Sequence, residues 1–127
     1  KDKYSYQEIE ELKMINIERE KIPHYFNAVN LHLLTSDYEG SPNSVKESLA
    51  CNTPVVSTNV GNVKYLLENM EGSFCANKNT PEELAYLVNK SLNKNILEGP
   101  SQVKKLKLDS KSVALELKNI YQKLINK

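Results

Sequence analysis

Arginine is almost missing from this sequence: Arg19 is the only one in 127 residues. A bound anion therefore cannot rest on a pair of guanidinium forks within the segment. Its positive partner must come from backbone dipoles or from outside the segment. Histidine is scarce too, and His24 and His32 have no partner at metal-ligand spacing, so structural roles are preferred and no metal constellation is read. The two cysteines, Cys51 at an expected helix end and Cys75 in an expected strand, read as buried free thiols rather than a disulfide, which suits a reducing cytoplasm. No apolar run approaches the ~18 residues that a transmembrane helix needs. No signal-peptide pattern stands at Lys1, and the opening reads as a cut end. A net charge of +1 gives no general attraction to nucleic acid, and the seven scattered tyrosines form no base-stacking platform. Repeats and low-complexity segments are absent as well.

What is present is an alternation of short apolar strands and amphipathic helices. Ser5-Tyr6-Gln7-Glu8 has the form of a capping box, with Ile9 and Leu12 on one helix face. Met14 to Ile17 reads as a short strand. Ile22-Pro23 opens a helix carrying Tyr25, Phe26 and Ala28, and Leu31 to Thr35 is a strand. Thr53-Pro54 turns into the β-branched run Val55-Val56-Ser57-Thr58, as a buried parallel strand should be. Asn62 is placed to cap a helix with Val63, Leu66, Leu67 and Met70 on its apolar face. Gly72 to Ala76 is the last short strand. Thr80-Pro81-Glu82-Glu83 starts a further helix, with Leu84, Leu87, Val88 and Leu92 as its stripe. Gly99-Pro100 is expected to break the chain. Asp109 or Ser110 then caps a final helix whose face is Val113, Leu117, Ile120, Tyr121 and Leu124. Docking on the sheet or on a neighbouring domain is the preferred fate of that face, and a membrane surface is the alternative. The alternation argues for a three-layer α/β/α, Rossmann-like parallel sheet.

Between these elements lies the run Ser36 to Glu47. Ser41 is placed as N-cap of a helix with Pro42 in its first position, so the N–H groups of Asn43 and Ser44 would point out of the helix end. That end suits an anion, phosphate above all, and it falls beyond the carboxyl end of a strand, where open parallel sheets bind ligands. Glu39 precedes the helix and Glu47 lies on its second turn, so two carboxylates bracket the site. Asn43, Ser44 and Glu47 share one face, with Val45 and Leu49 on the opposite, core face. Two Glu eight apart mean little alone, since Glu10 and Glu18 show the same spacing. Charge is uneven: Leu31 to Glu83 holds three Lys against seven acids, and Lys104 to Lys127 holds seven Lys against two acids.

The whole run from Ser36 to Gly61 resembles the donor-binding signature of retaining, nucleotide-sugar-dependent glycosyltransferases of family 4, which have the GT-B fold. The signature stands here as Glu39-Gly40-Ser41-Pro42-Asn43-Ser44-Val45-Lys46-Glu47, followed by Ser48-Leu49-Ala50-Cys51-Asn52-Thr53-Pro54-Val55-Val56. The likeness continues more loosely through Asn59-Val60-Gly61-Asn62-Val63 and Gly72-Ser73-Phe74-Cys75. It implies that residues 1–127 are part of a carboxyl-terminal donor-binding domain, with a core over 22–95 and carboxyl-terminal helices over 101–126. The strands near 31–35, 55–58 and 72–76 would match the last three of six. The Met14–Ile17 strand would match the third, at the far edge, and the first two have no counterpart. Leu31–Thr35 should then lack a neighbour on one side, an edge that favours dimerisation.

The resemblance further implies roles. Glu39 would contact hydroxyls of the donor sugar and is the catalytic candidate. Glu47 would bind the nucleotide ribose, and Gly40, Ser41, Asn43 and Ser44 would hold sugar or diphosphate, with Pro42 unable to donate. Hexosyl transfer from a nucleotide-diphosphate sugar to a glycan, lipid or other acceptor would proceed with retention and without a metal or other cofactor. The family's upstream glycine-rich loop with its Arg and Lys is not in this chain, nor is the acceptor domain. The isolated chain is therefore expected to be inactive, and the full-length protein to be cytoplasmic or membrane-associated. A non-catalytic nucleotide-binding or assembly module of the same fold is the second reading. A receiver-like signalling domain is weaker, because no paired acids stand at a first strand's end.

Overall fold

The computed structural model describes residues 13–94 and 98–126. The Ser5–Glu8 capping box, with Ile9 and Leu12, lies outside them. Three strands form one parallel sheet in the order β1 (His32–Leu34), β2 (Val55–Ser57), β3 (Phe74–Cys75), with His32 opposite Val55 and Val56 opposite Phe74. The expected strand from Met14 to Ile17 does not form. Asn16 takes a left-handed φ of 55°, which ends an extended run, and Met14 and Ile15 are exposed.

The described residues form six α-helices: α1 (Ile22–Ala28), α2 (Asn43–Ala50), α3 (Val63–Leu66), α4 (Pro81–Leu92), α5 (Gly99–Lys105) and α6 (Ser110–Ile125), with a 3-10 turn at Arg19–Lys21 leading into α1. The layers follow from the two-residue period of β2. Val55 packs with Val45, Leu49, Val63 and Leu66, and the half-buried Val103 and Leu106 of the α5 segment close that core. Val56, pointing the other way, packs with Ala76 and Leu87, flanked by Leu84 and Val88 of α4. Helices therefore cover both faces, the three-layer arrangement expected for a Rossmann-like domain. Each buried Val or Leu stabilises this by about 1.5–3 kcal/mol. The apolar face expected after Asn62 is buried as read: Val63, Leu66, Leu67 and Met70 all lie in the first core. Asn62 does not cap that helix with its side chain, and α3 itself is only one turn long.

Gly99-Pro100 does not break the chain but opens α5. Proline is tolerated in a first turn because its missing N–H has no partner to lose. Glycine is needed before it: a Cβ at Gly99 would stand 2.1 Å from the Leu49 carbonyl oxygen, so only glycine lets α5 rest against the end of α2. Gly99 N–H also donates to Asn52 Oδ1 at 3.2 Å. From α5 the buried Gln102 reaches across and donates to the carbonyls of Leu66 (3.1 Å) and Glu68 (3.2 Å), groups that the short α3 leaves open.

Thr80 caps α4 by accepting from Glu83 N–H at 3.3 Å. The Glu83 carboxylate reaches past the cap and accepts from the backbone N–H groups of Asn77 and Lys78. In the α4 stripe Leu87 is buried and Leu84 and Val88 are half-buried, but Leu92 is exposed. Asp109 caps α6, accepting from Ser112 N–H at 2.9 Å. The expected docking of α6 on the sheet is not found. None of its residues is buried, and Val113, Leu117, Ile120, Tyr121 and Leu124 are all exposed. β1 pairs only with β2 among the described residues, and Leu33 is 45% exposed beside the open edge. Cys51 and Cys75 are free as expected, though half-buried rather than buried. Among the described residues no helix is long and apolar enough to cross a membrane.

Candidate functional site

The carboxyl ends of the three strands release three loops that are stitched together. Thr58 N–H donates to Leu34 O at 3.0 Å, and the Thr58 hydroxyl donates to Ser36 O at 2.7 Å, tying the loop after β2 to the loop after β1. Asn62 N–H donates to Gly40 O at 3.1 Å. Asn59 N–H donates to Asn79 Oδ1 at 2.8 Å, which brings in the loop after β3. At Gly61 the backbone is left-handed (φ 51°), and a Cβ there would lie 2.2 Å from Gly40 O and 2.7 Å from Glu39 O. The Glu39-Gly40 turn therefore has a backbone wall behind it.

The start of α2 differs by one residue from its expected position. Pro42, buried and extended (φ −63°, ψ 123°), stands at the N-cap, and the helix begins at Asn43; Ser41 is not the cap. A proline at the cap has no side-chain acceptor, so no side chain satisfies the first-turn N–H groups of Asn43, Ser44 and Val45. They form the positive pole of the helix. Lys46 adds to it: its ammonium folds back one turn and donates to Ser41 O at 3.2 Å and Asn43 Oδ1 at 3.3 Å. Sequence reasoning treated Lys46 as an ordinary helical residue. The signal available for it was Asn43 three residues earlier, on the same face.

Glu39 is exposed in the loop, and its carboxylate accepts from the Ser36 hydroxyl at 3.0 Å. Gly40, Ser41 and Asn43 are exposed and Ser44 is half-buried, so these four meet Glu39 at the opening of α2. Glu47 does not join them directly. It lines a recess of about 230 Å³ between α1 and α2, with Arg19, Ile22, Pro23, Phe26, Ala50 and Cys51. Arg19, assigned no role from the sequence, thus shares that recess with Glu47. Burial pushes the Cys51 thiol above its ordinary value, and the nearby Glu47 carboxylate pushes it the same way. On the α4 side, Thr35, Asp37, Thr58 and Asn79 border a cleft of about 580 Å³ whose floor includes Leu33, Leu84 and Val88. Asp37 is exposed at its rim. Among the described residues no group of His, Cys, Asp and Glu is arranged to hold a metal ion.

The arrangement offers an anion a set of backbone donors and one ammonium at the opening of α2, with the Glu39 carboxylate beside it and the Glu47 carboxylate apart, in the recess against α1. The sequence model of the family described as glycosyl transferases group 1 matches residues 6–107, which include every strand and the whole loop system above. Neither curated proteins nor solved structures give a match. With most of its length matched by that family model, the chain belongs to the glycosyl transferases of group 1.

Proposed function

We propose that this chain is the nucleotide-diphosphate-sugar-binding portion of a retaining glycosyltransferase of the family 4 type. The full protein would transfer a hexosyl group to a glycan, lipid or other acceptor. The observation that carries the reading is the opening of α2, with no side-chain cap and with the Lys46 ammonium folded back over it, at the carboxyl end of a parallel strand.

In this reading the first-turn N–H groups of α2 and Lys46 take the charge that develops on the departing diphosphate, the dominant contribution to the rate. Glu39, steadied by the Ser36 hydroxyl, receives the sugar hydroxyls beside the Gly40 turn. Glu47 receives the ribose hydroxyls in the recess against α1, where Arg19 stands opposite. The glycosidic bond to the diphosphate breaks through an oxocarbenium-like state, and the acceptor hydroxyl attacks from the face the diphosphate leaves, giving its proton to the departing diphosphate oxygen. No metal takes part. The remaining cations and the acceptor-binding domain come from other parts of the full protein, so this polypeptide by itself transfers no sugar.

The test is calorimetric titration and turnover of the full-length protein with several nucleotide-diphosphate sugars, as wild type, Glu39→Ala and Glu47→Ala. Each substitution removes charged hydrogen bonds to hydroxyls. The expected loss is about tenfold to a hundredfold, in turnover for Glu39 and in donor affinity for Glu47. Unchanged values for both would remove these roles, and sugar transfer by the present polypeptide alone would refute its inactivity.

A further inference from the structure

Glu39 is exposed, and its carboxylate is held by the Ser36 hydroxyl, which donates to Oε1 at 3.0 Å. A hydroxyl aims a carboxylate only as well as its own backbone is aimed. Ser36 lies just beyond β1, where the strand pairing has ended. Its carbonyl accepts from the Thr58 hydroxyl at 2.7 Å. Thr58 is fixed in turn. It is 4% exposed, its N–H donates to Leu34 O at 3.0 Å, and its carbonyl accepts from the buried Ser57 hydroxyl at 2.8 Å. A valine would fill the same space as Thr58, and a buried hydroxyl costs stability unless it is paired. The pairing this hydroxyl makes is the one to Ser36. Hydrogen bonds therefore run from the end of the central strand through Thr58 and Ser36 to Glu39. Every group on this path belongs to β1, β2 or the loops that follow them, so the path is complete within this chain, whatever the rest of the full-length protein lays against it.

We propose, on the reading of Glu39 as the carboxylate that meets the donor sugar, that Thr58 is a positioning residue for sugar transfer. Its hydroxyl fixes Ser36, and through Ser36 it fixes the rotamer of Glu39. With Oε1 engaged by Ser36, Oε2 is left to accept from the sugar hydroxyls. An exposed glutamate has several rotamers of similar energy, and few of them point at a given hydroxyl. Choosing the right one before the donor arrives removes an ordering cost from the reaction. In the same reading the nucleotide is held elsewhere, by Glu47 and by the opening of α2, so Thr58 acts on turnover rather than on nucleotide binding. If Thr58 served only to pack, its methyl group would matter and its hydroxyl would not.

The test is steady-state kinetics of the full-length protein with UDP-glucose, UDP-N-acetylglucosamine and GDP-mannose, alongside titration with UDP and GDP. Thr58→Val should lower kcat about tenfold and leave the donor KM and the nucleotide Kd within about twofold. Thr58→Ser, which keeps the hydroxyl, should hold kcat within about twofold of wild type. Ser36→Ala should match the Thr58→Val loss, and Ser36→Ala/Thr58→Val should lose no more than either alone, because both break one path. Equal losses in Thr58→Val and Thr58→Ser would overturn the proposal, as would losses that multiply in the double variant. A drop in turnover for Glu39→Ala with none for Thr58→Val would sink the positioning role and leave the donor site standing; unchanged turnover for Glu39→Ala would sink both. A readout that needs no donor is the set of side-chain NMR couplings of Glu39 in isotope-labelled protein. A single rotamer is expected in wild type and Thr58→Ser, and averaging in Thr58→Val and Ser36→Ala. Averaging already present in the wild type would overturn the proposal.

Discussion

Gly61 and Gly40 lie so close that a Cβ on Gly61 would stand 2.2 Å from the Gly40 carbonyl oxygen, while the next residue, Asn62, donates its N–H to that same oxygen at 3.1 Å. The contact fixes the loop after β2 against the loop that carries Glu39. It joins two segments that are distant in the sequence into one wall behind the opening of α2.

Substituting Gly61→Ala should break that wall. The new Cβ collides with backbone, which cannot rotate away, and alanine dislikes the left-handed φ of 51°. A loss of about 1–3 kcal/mol is expected in urea unfolding. In the full-length protein, donor affinity should fall as well, because the Glu39-Gly40 turn moves. Gly40→Ala is the control: nothing lies within 4 Å of its Cβ position, so its effect on stability should be small.

Stability should fall as the solution is made acidic, for two separable reasons. Burial lowers the folded-state value of His32 below its ordinary 6.5, and Nδ1 of that ring has no hydrogen-bond partner among the described residues. The unfolded chain therefore takes up the proton first. Stability is whole above about pH 6.5 and is lost as the pH falls through the lower folded value. Glu83 is held below its ordinary 4.5 by the backbone N–H groups of Asn77 and Lys78. Its contribution is present above 4.5 and is lost as the pH falls through the depressed value. Urea midpoints measured from pH 8 to pH 3 should show both phases. His32→Phe should flatten only the upper phase and Glu83→Gln only the lower.

Cys51 reports on Glu47. Burial raises the thiol, and the Glu47 carboxylate raises it further from one helical turn away. Iodoacetamide should therefore alkylate Cys51 more slowly than an unhindered thiol at neutral pH. Glu47→Gln should speed that reaction and shift its pH profile downward, with Cys75 as the internal reference. An unchanged profile would mean that Glu47 turns away from the recess.

The legibility of this chain in its sequence has clear limits. The run from Leu31 to Val56 announced a strand, a turn, a short helix and a second strand, and Val45 and Leu49 took the core as their spacing required. Sequence placed the helix start one residue early, because Ser41 is a preferred cap and Pro42 a preferred first helical residue by local preference. The choice fell to Pro42, whose burial holds it extended at the helix opening. Nor could it reveal that Lys46 bends back to Ser41 O, since a lysine four-carbon stem has no local preference strong enough to predict its direction. Gly99-Pro100 was misread for a similar reason: the pair is a breaker in isolation and a helix start when Leu49 O occupies the space a side chain would need.

Local pattern by itself determined the alternating elements and the parallel three-layer class. These rest on periodicity and on short-range caps, which neighbours in the chain dictate. Only the tertiary structure decided which groups share a site. It put Gly61 against Gly40 and opened the recess holding Glu47 and Arg19. Those outcomes depend on where distant backbone segments leave room, and the space between segments is not encoded by any one of them.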